Sequence, residues 1–241
     1  MIQIGCCGWA KAQSFYVREL NAVELQQTFY EPPQRRTLER WRQAVPPQFA
    51  FTVKCFQLVT HERTSPTYRR LRRRLPAGVE VGHFRDNDAV RAAWQETLEC
   101  ARVLRAPIVL VQTPARFEPT AEHVRRLRSF AAWERDPGVT IAFEPRGPAW
   151  TQDFTDQLCR ELGWLRAGDP FALPPPDPVQ QQVAYFRLHG RTGYRYQFSP
   201  AELLQIARWA RAYLEAWVFF NNQTMWNDAL AFRAVLGRAR A

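Results

Sequence analysis

The stretch IAFEPRGPAW, residues 141–150, joins an apolar run directly to a carboxylate and a guanidinium. A buried carboxylate is costly unless it is paired or hydrated, so Glu144 must lie where water, Arg146 or a ligand can reach it. Other apolar runs in the chain also end in polar side chains. These supply three candidate catalytic groups, which are Glu144, Asp169 and His189. They also supply nine candidate substrate-binding residues: Trp9, Tyr30, Lys54, His61, Gln112, Arg146, Arg187, Asn221 and Asn222.

These residue types suit hydrolysis of an anionic, phosphate-bearing substrate. Lys54, Arg146 and Arg187 could hold phosphate oxygens, and the arginines could do so bidentately. Glu144, Asp169 and His189 would then serve as base, orienting acid and proton shuttle.

A metal-assisted version of the same reaction uses a partly overlapping set of side chains. Carboxylate and imidazole ligands suit Mg²⁺ or Mn²⁺, so a divalent metal is the cofactor to consider. The four candidate metal ligands are Glu24, Glu144, Asp169 and His189.

Eight short, β-rich apolar runs alternate with helical patterns, which is typical of βα units and a parallel sheet. Eight strands in this length predict an α/β fold, a TIM (β/α)8-type barrel, although a doubly wound open sheet would give a similar pattern. The runs are residues 2–5, 22–26, 49–54, 107–112, 139–144, 164–168, 183–189 and 216–221.

In such a barrel the carboxyl ends of the strands form one mouth, where the sites of this architecture lie. Side chains alternate along a strand, so Glu144 and Arg146 share the direction of Ala142, while Ile141 and Phe143 pack under helices. The same alternation, extended past the second strand, aligns Tyr30 with Glu24, Gln26 and Thr28. We therefore expect the polar strand ends to converge on a mouth site.

The composition is that of one large domain. A chain of 241 residues with 46% hydrophobic residues can bury a large core, so a single domain over residues 1–241 is predicted. It has no apolar run of about 18 residues and no leader pattern before IQIG, which favours a cytoplasmic protein without a membrane partner. Five cysteines without CxxC spacing are interpreted as reduced thiols.

The formal net charge is +10, and arginine supplies 31 of the 33 basic residues. An excess of arginine is compatible with a polyanionic partner such as nucleic acid or an anionic small molecule. The densest cluster is YRRLRRRLP, residues 68–76, within a predicted insertion at about 55–90 after the third strand.

Short motifs spread over nearly the whole chain resemble the DUF72 family of YecE-like proteins, and three of them are similar to its archaeal type. The resemblance implies a TIM barrel and, because the family has no settled activity, little chemistry. The motifs are GCCGW, VELQQTFYEPP, FTVK, VTHE, SPTYRR, VGHF, VQTPARF, FEPRGPAW, DPF, YFRLHG and FFNN.

Three alternatives to the hydrolase stay open. A non-enzymatic protein could bind nucleic acid or a nucleotide through the arginines at 68–76, with Tyr68 stacking on bases. A glycosidase could pair Glu144 with Glu24 or Asp169 beside Trp9 or Trp150, although neighbouring cations disfavour a general acid there. The polar strand ends could also be an inert ion-pair network that fills the barrel.

Overall fold

The computed structural model describes residues 1–134 and 137–238, and its eight parallel strands are hydrogen-bonded in chain order into a closed barrel. The predicted barrel is confirmed, and each predicted run overlaps a strand. The strands are β1 (Ile2–Cys7), β2 (Ala22–Leu25), β3 (Ala50–Lys54), β4 (Ile108–Gln112), β5 (Thr140–Glu144), β6 (Leu165–Gly168), β7 (Val183–Leu188) and β8 (Glu215–Phe220).

Helices follow every strand except β6, which a loop joins to β7, as the crossover connections of a parallel barrel require. No helix among the described residues is long and apolar enough to cross a membrane. The helices are α1 (Gln13–Glu19), α2 (Gln27–Tyr30), α3 (Arg35–Gln43), α4 (Gln57–Thr60), α5 (Asp88–Leu104), α6 (Ala121–Trp133), α7 (Gln152–Leu162), α8 (Pro200–Arg211) and α9 (Met225–Arg238), with a 3₁₀ helix at Pro66–Arg70.

The backbone divides into two compact units. Among the described residues, the first unit contains 1–24, 43–51 and 165–238, and the second contains 25–42, 52–134 and 137–164. The expectation of a single domain stays a prediction.

In the first unit, β8 lies between β1 and β7, and α9 covers its outer side. Cys6 and Phe220 face this helix, since the Cys6 thiol lies 3.5 Å from the Met225 carbonyl oxygen and Phe220 contacts Phe232. Alternation along each strand therefore turns Cys7, Arg187 and Phe219 to the inner face.

In the second unit, β4 pairs with both β3 and β5. The Phe143 ring lies 5.5 Å from Trp150 and 5.8 Å from Trp164, so it packs under the helix layer as the alternation predicted. Ala142 and Glu144 consequently face the other way.

The prediction for residues beyond β2 is wrong. The strand ends at Leu25, and the Thr28 hydroxyl donates to the Leu25 carbonyl oxygen at 3.1 Å as the chain turns into α2. Tyr30 and Thr28 are therefore helical, and they do not continue the strand alternation of Glu24. A local side-chain bond of this kind competes with strand pairing and is not visible in hydrophobic periodicity.

The insertion after β3 is held together by an unusual turn. Gly82, His83 and Phe84 all have positive φ, at 80°, 50° and 53°. Their backbone N–H groups donate to the carbonyl oxygens of Leu58, Thr60 and Val59, which satisfies the end of α4. Only glycine fits at position 82, because an added Cβ would lie 2.2 Å from the His61 carbonyl oxygen.

All five cysteines are buried free thiols, as predicted from their spacing. Burial raises the pKa of both Cys6 and Cys55 to about 12, which keeps these thiols protonated and unreactive at neutral pH.

Candidate functional site

The first unit contains a buried ion pair between Glu24 of β2 and Arg187 of β7. Arg187 Nη2 donates to Glu24 Oε1 at 2.9 Å and Nε donates to Oε2 at 3.0 Å, while the two side chains are 1% and 0% exposed. The Tyr185 hydroxyl donates to the same carboxylate at 2.7 Å. Burial would raise the pKa of Glu24, but Arg187 and then Tyr185 hold this pKa below its usual value. Glu24 is therefore a buried anion.

His189 follows β7 and is held from both sides of its ring. Its Nε2 lies 3.5 Å from Arg187 Nη1, and its Nδ1 lies 3.0 Å from Asn221 Nδ2. The Asp169 carboxylate accepts from the His189 backbone N–H at 2.9 Å and from Phe171 N–H at 3.0 Å. Asp169 thus orients the backbone, whereas Asn221 is the residue that orients the imidazole.

Two carboxylates of the predicted metal set, Glu24 and Asp169, are already engaged by hydrogen-bond donors in the first unit. No group of three or more His, Cys, Asp or Glu side chains in residues 1–134 and 137–238 is placed to hold a metal ion. Both oxygens of Glu24 already accept hydrogen bonds from Arg187, and Asp169 uses both oxygens on backbone N–H groups. A metal-binding role of Glu24, Asp169, His189 and Glu144 stays a prediction.

Three residues predicted to bind substrate make contacts within the first unit, and their substrate-binding role stays a prediction. Arg187 is buried against Glu24 and does not present its guanidinium to a ligand. Asn222 is fully buried and donates to the Tyr196 carbonyl oxygen and to Asp228 Oδ2, both at 2.6 Å. Trp9 stacks on Phe49 with ring centroids 5.9 Å apart and joins an aromatic cluster. Polar or aromatic type alone does not distinguish such contacts from ligand binding.

The second unit brings Lys54 and Gln112 together at the ends of β3 and β4. Lys54 Nζ donates to Gln112 Oε1 at 2.6 Å and lies 4.1 Å from the centroid of the Phe29 ring. The Thr28 hydroxyl donates to the Lys54 carbonyl oxygen at 2.7 Å, which fixes the strand end. Lys54 is only 8% exposed, so its ammonium charge is weakly screened by water.

Glu144 forms an ion pair with Arg146, one of the three partners that the sequence left open for it. Arg146 Nη2 lies 3.0 Å from Glu144 Oε1, and the side chains are 40% and 4% exposed. Gln112 and Glu144 are direct partners in the β4–β5 register, and the Glu144 carbonyl oxygen accepts from Thr113 N–H. Lys54, Gln112, Glu144 and Arg146 therefore occupy the ends of three consecutive strands, and we call them the Lys54 cluster.

His61 lies beside this cluster in the insertion. Its Nδ1 is 2.8 Å from the Thr60 hydroxyl, and its ring meets the Phe29 ring edge-on at 4.9 Å. Burial first, then the positive charge of Lys54, lowers the pKa of His61 to about 3. The imidazole is therefore neutral at pH 7, so it can hydrogen-bond a ligand but adds no positive charge.

Tyr30 contacts the arginine-rich insertion in the second unit. Its ring is covered by the Arg70 guanidinium at 3.8 Å, and it lines a surface groove with Arg72 and Arg73. Tyr68, predicted to stack on bases, is half-buried and donates through its hydroxyl to the His61 carbonyl oxygen.

Sequence analysis missed three residues that position the charged groups. Tyr185 and Cys7 contact the Glu24–Arg187 pair, and Phe29 lies under the Lys54 ammonium. Tyr185 shares the strand face of Arg187 and His189, so alternation could have found it. Phe29 lies in a short helix and had no such signal. The convergence of the polar strand ends on one mouth site stays a prediction.

Trp150, one of the two tryptophans considered as a sugar platform for a glycosidase, is buried. Trp150 is 4% exposed, its indole N–H donates to the Phe117 carbonyl oxygen at 2.7 Å, and its ring packs on Phe143. It is therefore a core residue.

A family model described as "Protein of unknown function DUF72" matches residues 3–240. A DUF72 family protein from Enterococcus faecalis V583 has a similar structure, with a TM-score of 0.76 and 21% identity over 98% of this chain and 96% of that one. A DUF72 family protein from Thermotoga maritima MSB8 has a TM-score of 0.72 and 22% identity over 98% and 99%. None of the curated proteins compared with the chain matches it.

The fold is also similar to that of endonuclease IV from Thermus thermophilus. The TM-score is 0.52 at 12% identity, covering 98% of this chain and 99% of that one. A likeness at this identity shows the fold alone.

Proposed function

Because the chain belongs to the DUF72 family, which is described without an activity, we propose a function from its own side chains. We propose that the protein is an enzyme that binds a phosphate-bearing substrate at the Lys54 cluster and hydrolyses its phosphate ester. Lys54, Gln112 and Arg146 bind the phosphate group, and Glu144 acts as the base.

The observation that carries this proposal is the placement of two cations and one carboxylate on adjacent strand ends. Lys54 reaches Gln112 at 2.6 Å, and Gln112 is the register partner of Glu144, which binds Arg146 at 3.0 Å. A phosphate monoester or diester carries the negative charge that such a pair of cations attracts. Gln112 adds an amide that can donate to a phosphate oxygen or to the ester oxygen.

Lys54 and Arg146 differ in solvent exposure, and we assign them different roles in phosphate binding. Lys54 is nearly buried, so its charge acts through a medium of low dielectric and attracts an anion strongly. The Arg146 side chain is 40% exposed, and its planar guanidinium can bind two phosphate oxygens at once. Arg187, which was predicted to share this role, is instead bonded to Glu24.

The proposed reaction is a general-base hydrolysis. Glu144 accepts a proton from a water molecule whose oxygen bonds to phosphorus. The ester P–O bond breaks, and the leaving oxygen takes a proton from solvent. Lys54 and Arg146 stabilise the negative charge that the phosphate oxygens carry in the transition state. The roles of His189 as proton shuttle and of Asp169 as orienting acid stay predictions.

The name of endonuclease IV denotes an enzyme that cuts nucleic acid, and this fold neighbour agrees with a phosphoester substrate. At 12% identity the agreement concerns the fold, so the substrate class rests on the Lys54 cluster.

The test combines binding and turnover. Inorganic phosphate binding is measured by calorimetry, and hydrolysis is measured with a chromogenic phosphate monoester, a chromogenic phosphodiester and a single-stranded oligonucleotide. Glu144→Gln keeps the side-chain shape and should reduce turnover by about 100-fold or more while phosphate still binds. Lys54→Met keeps the apolar stem on Phe29 and should weaken phosphate binding by about tenfold or more.

Glu161→Gln is the matched control, because Glu161 forms an exposed ion pair with Arg128 and should leave both measurements unchanged. Phosphate binding without turnover of any ester would remove the enzymatic part of the proposal. Unfolding of Glu144→Gln would favour the inert ion-pair network.

A further inference from the structure

The insertion after β3 forms an arginine-rich surface that the proposed hydrolysis does not use. A groove of about 1120 Å³ runs along it, and a second groove of about 700 Å³ adjoins it. Arg73 lines both grooves, so they flank a common ridge. We call residues 70–74 the arginine ridge.

Arg73 anchors this ridge to the body of the second unit. Its Nη1 and Nη2 donate to the two oxygens of Glu96 on α5, at 2.7 and 2.8 Å, and its Nε donates to Glu31 Oε1 at 2.6 Å. Glu31 Oε2 also accepts from the backbone N–H groups of Arg72 and Arg73. One arginine and two carboxylates therefore fix the backbone of the ridge.

The neighbouring arginines are exposed and keep their charge available. Among the described residues, Arg70, Arg72 and Arg74 have no carboxylate within ion-pair distance, and Arg70 instead covers the Tyr30 ring. The acids of the larger groove are already engaged in ion pairs with other arginines, since Glu31 and Glu96 bind Arg73 and Glu99 binds Arg35. The ridge therefore presents three positive charges on a fixed backbone.

We propose that the arginine ridge binds single-stranded nucleic acid. The arginines would contact successive phosphates, while bases would stack on Trp41 and on the flat guanidinium of Arg70, which Tyr30 supports from below in the larger groove. This combination of a basic groove with aromatic side chains is how proteins bind single strands without reading their sequence. Binding of a single strand can be measured without turnover, so this proposal can fail or succeed separately from the proposed hydrolysis.

A membrane surface fits this region less well. Interfacial binding needs apolar side chains that enter the bilayer beside the basic ones. The large hydrophobic side chains that are exposed among the described residues are Met1, Phe15, Phe154, Val179, Tyr194, Leu204 and Leu214, and none of them lies on the ridge or in its grooves.

The experiment is fluorescence anisotropy with a labelled single-stranded oligonucleotide of about 16 nucleotides, titrated between about 50 and 200 mM salt. The triple variant Arg70→Gln, Arg72→Gln, Arg74→Gln should bind about tenfold or more weakly. In this variant the slope of log affinity against log salt concentration should become less steep by about 2 units. The variant loses three phosphate contacts, and each contact to a single strand contributes about 0.7 to the slope.

Arg18, Arg125 and Arg208 provide a matched control, because they are exposed and lie outside the ridge. Their triple substitution by Gln removes the same charge and should leave the slope unchanged. Tyr30→Ala should weaken oligonucleotide binding about fivefold or more but leave the binding of inorganic polyphosphate, which has no bases, unaltered.

Four outcomes would overturn the proposal. The first is equal weakening in the ridge and control variants, which would indicate net charge alone. The second is equal binding of polyphosphate and oligonucleotide with no effect of Tyr30→Ala, and the third is binding of anionic lipid vesicles without oligonucleotide binding. The fourth is absence of oligonucleotide binding at low salt. The single variants Arg72→Gln and Arg74→Gln replace the triple variant if it does not fold.

Discussion

Arg187 lies across both carboxylate oxygens of Glu24, with Nε 3.1 Å from Oε1 and 3.0 Å from Oε2, although neither side chain is more than 1% exposed. Moving two charges out of water is costly, and the pair is tolerated because Tyr185 donates a further hydrogen bond to Glu24. The pair joins β2 to β7 and places Arg187 Nη1 beside His189. The ion pair therefore fixes the position of the end of β7.

The first prediction concerns removal of one charge from this pair. Glu24→Gln should lower the free energy of unfolding by about 3 to 5 kcal/mol, because Arg187 would remain buried without its anion. Urea denaturation at pH 7 measures the change. The double variant Glu24→Leu, Arg187→Met should recover part of the loss, and a loss below about 1 kcal/mol in Glu24→Gln would contradict the assignment.

The second prediction concerns acid stability. The pKa of Glu24 is lower in the folded protein than in the unfolded chain, where it is about 4.3. The resulting stabilisation is complete above that value and is lost as pH falls through the folded pKa. Wild type should therefore lose more stability than Glu24→Gln below about pH 4.3, and parallel profiles would show that Glu24 is not linked to folding.

The third prediction concerns His61, whose pKa falls to about 3 in the folded protein. The unfolded chain binds a proton there from about pH 6.5 downward while the folded protein does not, so stability falls as the pH drops from about 6.5 toward 3. In that pH range, His61→Leu should reduce the slope of unfolding free energy against pH by up to about 1.4 kcal/mol per pH unit. An unchanged slope would mean that His61 is protonated in the folded state.

The fourth prediction uses two glycines with similar φ. Gly82 (φ 80°) faces the His61 carbonyl oxygen, whereas an added Cβ at Gly78 (φ 76°) would meet nothing within 4 Å. Gly78→Ala should cost about 1 to 2 kcal/mol from backbone strain alone. Gly82→Ala should lower the melting temperature more than Gly78→Ala does. Equal melting temperatures of the two variants would show that the turn shifts to relieve the clash.

The fifth prediction separates charge from geometry at Arg146 and depends on the proposed phosphate site. Arg146→Lys keeps the positive charge but loses the bidentate fork, so phosphate should bind about tenfold more weakly. Arg146→Ala should weaken binding more than Arg146→Lys does. Calorimetric titration distinguishes the two, and equal affinities for wild type and Arg146→Lys would show that only the charge matters.

Strand periodicity predicted the part of the site that lies within regular strands. Glu144 shares its direction with Ala142 while Phe143 packs on Trp150, as an alternation of two requires. The prediction was wrong where the chain leaves a strand, because the next dihedral angles depend on local bonds. Tyr30 is such a case, since the Thr28 hydroxyl turns the chain into α2 just before it.

The sequence by itself determined the eight strands, since hydrophobic periodicity follows from backbone geometry and burial. Periodicity left an open sheet equally compatible, and the closure into a barrel was implied by the family resemblance and is shown by the structure. It also determined that Glu144 needs a partner such as Arg146, because a buried charge must be compensated. Only the tertiary structure decided that Arg187 belongs to Glu24, 163 residues away, rather than to a ligand. Such pairings depend on which side chains the fold brings within a few ångströms, because hydrogen bonds and buried ion pairs act only at that range.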